Sequence, residues 1–207
     1  MKISYAITVC NEYEEIVKLL DFLLKYKRDN DQIVVLYDSN NGTKNVLDYV
    51  NSLKDKGNCS VYSAKFNNHF AYWKNLLTSY CTGDYIFQID ADEMISKEFI
   101  DILPEVIQAN SSSEVMLVPR INTVEGLTNE HIIKWRWVVN EKNWINFPDY
   151  QYRIWKNVDS IRWKNKVHEI LSGYKSFVAL PANELFCLLH PKKIEKQIKQ
   201  NDYYNTL

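Results

Sequence analysis

Apolar positions along this chain come in two alternating rhythms. Ile3 to Val9, Gln32 to Tyr37, about Cys59 to Ser63 and Tyr85 to Ile89 are short, nearly continuous runs rich in β-branched and aromatic residues, which predict buried strands. Between them the apolar residues return every three or four positions. Ile16, Leu19, Leu20, Leu23 and Leu24 predict a helix running to about Lys27, capped by Asn11 and begun by the acidic turn of Glu12, Glu14 and Glu15. Asp38 closes the second run, Ser39-Asn40-Asn41-Gly42 supplies turn formers, and Thr43 to Leu53 predicts the next helix. Phe70 to Tyr80 predicts a third helix, stopped by Gly83, and Ser96 caps a fourth that reaches about Ala109 with a kink at Pro104. Strand and helix alternating at these lengths imply right-handed βαβ units, hence an α/β chain with a mostly parallel central sheet and flanking helices.

The second half has a different texture. After the polar loop Asn110 to Ser113 comes a strand from Glu114 to Pro119, and from Ile132 onward the pattern turns to short aromatic segments. Ile133 to Val139, Tyr150 to Trp155 and Lys166 to Leu171 read as hairpin strands packed against one end of the parallel sheet, a small antiparallel region. The last strand, Glu184 to Leu189, ends in His190-Pro191, and a basic, polar helix runs from Lys192 toward Tyr204. No repeat and no low-complexity linker interrupts the chain, so 1–207 reads as a single domain.

Composition narrows the class. A chain of 207 residues and 24.5 kDa supports one well-buried core. A net charge of -1 gives no bulk attraction to nucleic acid. Cys10, Cys59, Cys81 and Cys187 are scattered and form no C-x-x-C pair, so neither a zinc site nor a disulfide framework is indicated. Met1-Lys2 leads straight into a strand pattern rather than a signal peptide, and Lys18 and Asp21 interrupt the most apolar helix, so no transmembrane segment is expected. Aromatics make up 14% of the chain, and Trp135, Trp137, Trp144 and Trp155 sit among Lys134, Arg136 and Lys142, where they serve the core, an acceptor-sugar platform or a membrane surface.

The candidate chemistry centres on Asp84-Tyr85-Ile86-Phe87-Gln88-Ile89-Asp90-Ala91-Asp92-Glu93. Three acids crowd the C-terminal end of a predicted central strand, where open α/β sheets bind ligands. Like charges at that spacing resist desolvation unless a cation or a donor-rich ligand lies between them. Asp90 and Asp92 project to one side of an extended segment, an arrangement that suits Mg²⁺ or Mn²⁺; the plainer reading is a solvated acidic turn. Farther on, Asp149, Gln151 and Arg153 share one side of a strand, with an Asp149–Arg153 ion pair as the plain reading, and Glu169 follows Val167-His168.

Together these stretches carry a resemblance. Thr8-Val9-Cys10-Asn11-Glu12 after the first strand, Asp38-Ser39 after the second and Asp90-Ala91-Asp92-Glu93 after the fourth are followed by Phe147-Pro148-Asp149-Tyr150-Gln151-Tyr152-Arg153 and Val167-His168-Glu169. The set resembles family 2 glycosyltransferases of the GT-A, Rossmann-like fold, and among them small bacterial and viral enzymes of surface-glycan and lipooligosaccharide-core synthesis. The resemblance implies a nucleotide-sugar-binding half over 1–110 and an acceptor-side half over 111–207. It implies that Thr8, Glu12, Asp38 and Asp90 bind the nucleotide, with UDP favoured through Asp38, and that Asp90, Asp92 and His190 hold Mn²⁺ or Mg²⁺. Lys192 and Lys193 stand either near the diphosphate or, more simply, at a solvated helix start. Asp149 and Glu169 are the two candidates for the base, Asp149 slightly ahead. Glu93, Gln151, Arg153 and His168 would support the site or meet the acceptor, and Arg153 is an alternative phosphate contact.

The implied reaction is metal-dependent, inverting transfer of a sugar from a nucleoside-diphosphate sugar to a hydroxyl of a glycan or glycolipid. The implied setting is the cytoplasm, or a host's cytoplasm for a viral source, soluble or peripheral to a membrane, as a domain that stands alone or within a longer polypeptide. Two other enzyme classes fit less well. An aspartyl-phosphate phosphotransferase needs an Asp on the first strand, which offers Thr8, and a sugar nucleotidyltransferase needs an early Gly-rich loop, whereas residues 1–15 hold no Gly. A non-catalytic carbohydrate- or nucleotide-binding domain would use the same aromatics.

Overall fold

A computed structural model of the protein describes residues 1–204, with side chains through Asp202; residues 205–207 of the expected domain lie outside the described residues. The strands β1 (Ile3–Val9), β2 (Gln32–Asp38), β3 (Ser60–Ala64) and β4 (Tyr85–Asp90) run parallel. They are joined by α1 (Tyr13–Tyr26), α2 (Lys44–Asp55) and α3 (Phe70–Ser79). Then α4 (Lys97–Ala109), which runs through Pro104 and is capped by Ser96 accepting from Phe99 N–H, leads to β5 (Val115–Glu125). The apolar runs are strands because both faces are covered. Ile3, Ile7, Ile33, Val35 and Phe87 pack toward α1, α2 and α4, while Ala6, Val34, Leu36 and Ile86 pack toward α3.

The second half departs from the expected hairpins. The strand β6 (Ile145–Lys156) does not sit at the end of the sheet; it runs antiparallel in the middle, between β5 and β4. Its apolar C-terminal end explains the placement, since Ile154 and Trp155 are buried on opposite faces and demand cover from both. Ile133–Val139 is not a strand. Thr128 and His131 form a reciprocal capping box, and α5 (Asn129–Trp135) follows, ended by Arg136 in the left-handed conformation. Of the Lys166–Leu171 segment only its end is strand, in β8 (Ile170–Ser172), which pairs with β7 (Arg162–Lys164) as a separate ribbon held on α3 by Asn75 and Trp163. A short 3-10 turn occupies Glu184–Phe186, preceded in the chain by β9 (Phe177–Ala179), which pairs with the start of β5. The strand β10 (Leu188–Lys193) continues beyond His190 and Pro191, parallel to the second half of β5, and α6 begins at Ile194 and extends to Tyr204.

Across the described residues the sheet order is β10-β5-β6-β4-β1-β2-β3, a mixed, mostly parallel α/β arrangement. The expected central sheet with flanking helices is therefore observed, and the antiparallel element is inside it. Trp155 is core, while Trp135 and Trp137 pack on each other with ring centroids 4.6 Å apart. No helix among the described residues is long and apolar enough to cross a membrane.

Gly83 sets how β4 enters the sheet. Its N–H donates to Ser4 Oγ, and a Cβ there would lie 2.7 Å from Ser4 N and 2.9 Å from Lys2 O. Both neighbours are backbone of β1 or its lead-in and cannot swing aside. Gly83→Ala is therefore expected to cost about 1–3 kcal/mol, read as a Tm lowered by several degrees in thermal unfolding.

Candidate active site

The C-terminal ends of β1 and β4 meet where Thr8 pairs with Asp90. The turn after β4 is closed twice, by Glu93 N–H donating to the Asp90 carbonyl and by Asp90 N–H donating to Glu93 Oε2 at 3.0 Å. From there a chain of polar contacts crosses the sheet. Arg153 Nη2 donates to Asp90 Oδ2 at 2.6 Å and to Glu93 Oε1 at 2.5 Å. Arg120 Nη1 donates to the same Glu93 oxygen at 3.0 Å, and its Nε and Nη2 hold Asp149 Oδ2 at 2.9 and 2.8 Å. Asn122 Nδ2 adds a bond of 2.8 Å to that oxygen, and Gln151 Nε2 donates to Asp149 Oδ1 at 2.6 Å. Asn122 Oδ1 lies 2.7 Å from His190 Nδ1, and His190 Nε2 lies 3.4 Å from Asp92 Oδ2.

The plain expectation of an Asp149–Arg153 pair is thus replaced. Asp149 pairs with Arg120, and Arg153 turns to Asp90 and Glu93. The reason lies in the β5–β6 register, where Met116 faces Ile154 and Leu117 faces Tyr152, so Arg153 has no residue opposite it. An extra residue of this kind re-aims its side chain. With Arg153 2% exposed and both acids on it, its guanidinium is committed to the protein rather than open to a phosphate. Glu93, fully buried between two guanidiniums, supports the site from within and does not face an acceptor.

The charges are unequally balanced. Burial alone would raise the Asp90 carboxyl, but Arg153, then Lys74 and Arg120, outweigh it and hold Asp90 far below the usual carboxylate range despite the opposing charge of Asp92. Asp92 is likewise held low, against burial, by His190, Lys192 and Lys196. Burial is also outweighed at Asp149, where Arg120 and the bonds from Asn122, Arg120 and Gln151 depress the carboxyl. All three are ionised at neutral pH.

Lys192 is not the solvated helix start expected of it. It lies in β10, its side chain 7% exposed, with Nζ 3.9 Å from Asp92 Oδ2 and bonded to Gln200 Oε1. Lys196 on α6 reaches the same Asp92 oxygen at 3.4 Å and Glu15 Oε1 at 3.2 Å.

Among the described residues no three His, Cys, Asp or Glu side chains form a ready-made metal cage. Of the expected trio, Asp90 has its Oδ2 on Arg153, and Asp92 and His190 lie side by side. That pair fits a hard divalent ion. The Asp149 carboxylate can only accept, so the Asn122 amide turns its NH₂ to Asp149 and its oxygen to the imidazole, and Nδ1 must carry the ring hydrogen. Nε2 is then the ring nitrogen that faces Asp92, where either a proton donated to the carboxylate or a cation between the two completes the contact.

At the end of β2, Asp38 is 4% exposed, accepts from Asn40 N–H at 2.9 Å, Phe66 N–H at 3.1 Å and Asn41 Nδ2 at 2.9 Å, and so shapes its own loop. Glu12, not Asn11, is the first residue of the α1 cap; its carboxylate folds back onto the N–H groups of Cys10 and Asn11 at 2.9 and 3.0 Å. Burial, with Glu12 and Asp38, pushes the Cys10 thiol up to about 12, so it is no thiolate nucleophile. Glu169 stands apart from the polar chain, 2.5 Å from Lys74 Nζ, which itself lies 4.4 Å over the Trp163 ring. His168 beside it has a left-handed backbone, φ 51°. A cavity of about 710 Å³ is lined by Ser96, Ile121, Trp144, Leu189, His190 and Pro191.

Lys74, Arg120, Asn122 and Lys196 join these contacts without standing out in the local sequence pattern. Arg120 and Asn122 left a trace, as alternating polar residues continuing the apolar strand Val115–Pro119 on one side. Lys74 and Lys196 left none, being cations on helices like many others.

Removing Arg153 would leave Glu93 and Asp90 without their shared counter-charge. Arg153→Met is expected to lose about 3–5 kcal/mol in urea unfolding at pH 7. A carboxylate depressed in the folded state stabilises above its unfolded pKa and loses that contribution as pH falls, so the gap between Arg153→Met and wild type should narrow below about pH 4.

Comparison with known proteins bears on the family and the fold. The profile of Glycosyl transferase family 2 matches residues 4–174. The SPbeta prophage-derived glycosyltransferase SunS of Bacillus subtilis (strain 168) is 32% identical over 96 residues, 46% of this chain and 21% of SunS. S. aureus TarS 1-349 in complex with UDP superposes over 92% of this chain and 60% of TarS 1-349, with TM-score 0.65 and 16% identity. The same protein in complex with UDP-GlcNAc gives a TM-score of 0.63 at 15% identity, covering 93% of this chain and 59% of that one. The chain thus spans about a fifth of SunS and three fifths of TarS 1-349. With the GT-A-like fold in hand and the family match covering most of its length, the chain belongs to glycosyl transferase family 2.

Proposed function

We propose that the chain transfers a sugar from a UDP-sugar to a hydroxyl group of a glycan or glycolipid acceptor, with inversion at the anomeric carbon. The observation that carries this reading is the polar chain from Asp90 through Arg153, Glu93, Arg120, Asp149, Asn122 and His190 to Asp92. It ties a cation-binding pair and an ionised carboxylate to one edge of the sheet, beside the ends of β1 and β2. The UDP preference rests on S. aureus TarS, solved with UDP and with UDP-GlcNAc, and on Asp38 at the end of β2.

In this reading Thr8, Glu12 and Asp38 line the nucleotide, Asp38 having a carboxylate able to accept from a uracil N–H. Asp92 and His190 would hold Mn²⁺ or Mg²⁺, which when bound supplies Lewis-acid stabilisation of the diphosphate. Lys192 and Lys196 add positive charge next to Asp92, where negative charge grows as the sugar departs. Asp90 stays ionised on Arg153 and shapes the site's field.

Asp149 takes the acceptor's proton. Its Oδ2 is occupied by Arg120 and Asn122, whereas Oδ1 carries only Gln151 and keeps a lone pair for the hydroxyl. A depressed carboxyl is a modest base. It suits a reaction in which the acceptor hydroxyl becomes strongly acidic only as its oxygen bonds to the positively charged sugar carbon. Glu169 is held by Lys74 and, with His168, borders the acceptor side.

Asp149→Asn is expected to lower kcat by about 10²- to 10⁴-fold in a UDP-sugar transfer assay. Glu169→Gln should leave most of kcat intact; the reverse pattern would reassign the base. Asp92→Asn should abolish the Mn²⁺-dependent rise in Tm with UDP, which mass action produces in the wild type.

A further inference from the structure

We propose that Asn122 is a positioning residue that fixes the ring orientation of His190 and couples it to Asp149. The inference rests on the proposed function, because it concerns how the chain presents a nitrogen to the cation. Asn122 and His190 are direct partners in the β5–β10 register, so the two strands bring the side chains face to face. His190 is 8% exposed, so little of the ring is left to water.

The sense of each bond follows from its neighbour. Asp149 Oδ2, an ionised acceptor, lies 2.8 Å from Asn122 Nδ2, which settles which end of the amide is which. Asn122 Oδ1 is left for the ring at 2.7 Å, and only a hydrogen on Nδ1 makes that contact a bond. The remaining ring nitrogen, Nε2, is the one aimed at Asp92, 3.4 Å away. One primary amide thus reads the charge of the candidate base on one side and sets the ligating nitrogen on the other. The planar carboxamide offers a donor and an acceptor at the length the two strands allow, and Leu at this position would release the ring. Partners of this kind around a metal-binding imidazole fix the tautomer and raise its basicity as a ligand.

The test uses the full chain and reads metal binding rather than turnover. Free Mn²⁺ is titrated by electron paramagnetic resonance in the presence of UDP. Asn122→Ala is expected to raise the Mn²⁺ dissociation constant about 10–100-fold. In the wild type with Mg²⁺ and UDP, long-range ¹H–¹⁵N correlation, assigned by loss of signals in His190→Gln, is expected to show the ring hydrogen of His190 on Nδ1. Equal Mn²⁺ affinity in Asn122→Ala and wild type overturns the proposal and leaves the proposed function standing. A wild-type ring carrying its only hydrogen on Nε2 overturns it as well, without recourse to any variant, which keeps the test decisive if Asn122→Ala fails to fold. No Mn²⁺ binding by the wild type with UDP overturns both this role and the metal-assisted reading beneath it.

Discussion

Two buried guanidiniums are what make this sheet edge stable. Arg153 and Arg120 share Glu93 between them and each hold a second carboxylate, Asp90 and Asp149. Without them, three acids at the ends of adjacent strands would repel and the desolvation cost would fall on the fold itself. With them, the acids are ionised, oriented and rigid. The arrangement separates an enclosed carboxylate from partly exposed ones. Glu93 is fully enclosed and works only as a strut, whereas Asp92 ends the chain of contacts and Asp149 stands midway along it, its Oδ1 bonded only by Gln151.

The central antiparallel strand is the reason both ends of that chain meet. Because β6 runs between β4 and β5, Asp149 and Arg153 are brought against residues more than twenty-five positions earlier on both sides. At the end of the sheet, as the sequence pattern suggests, Asp149 would lie far from Asp90. The bulged register at Arg153 completes the effect by freeing one side chain from the alternation of its strand.

The first four strands and their helices were legible in the sequence almost to the residue, since a strand covered on both faces leaves a continuous apolar run and a helix on one face leaves a stripe. The second half was less so. Aromatic residues suit hairpins and capped turns alike, and only Thr128 with His131 marked the α5 region as helical. At the site, the acids and His190 announced themselves by being polar at strand ends. Their partners did not, because whether Arg120 or Arg153 reaches Asp149 depends on strand order and register, which no local pattern encodes. The pairing of Asn122 with His190 likewise requires knowing that β10 lies alongside β5.

The ammonium of Lys196 grips Asp92 and Glu15 together, and so fastens α6 to α1 and to the turn after β4. Anything that claims the Asp92 oxygen for itself has to compete with that grip. The hold of α6 on the body and the affinity of an incoming cation are therefore linked quantities, each weakening the other by the same free energy.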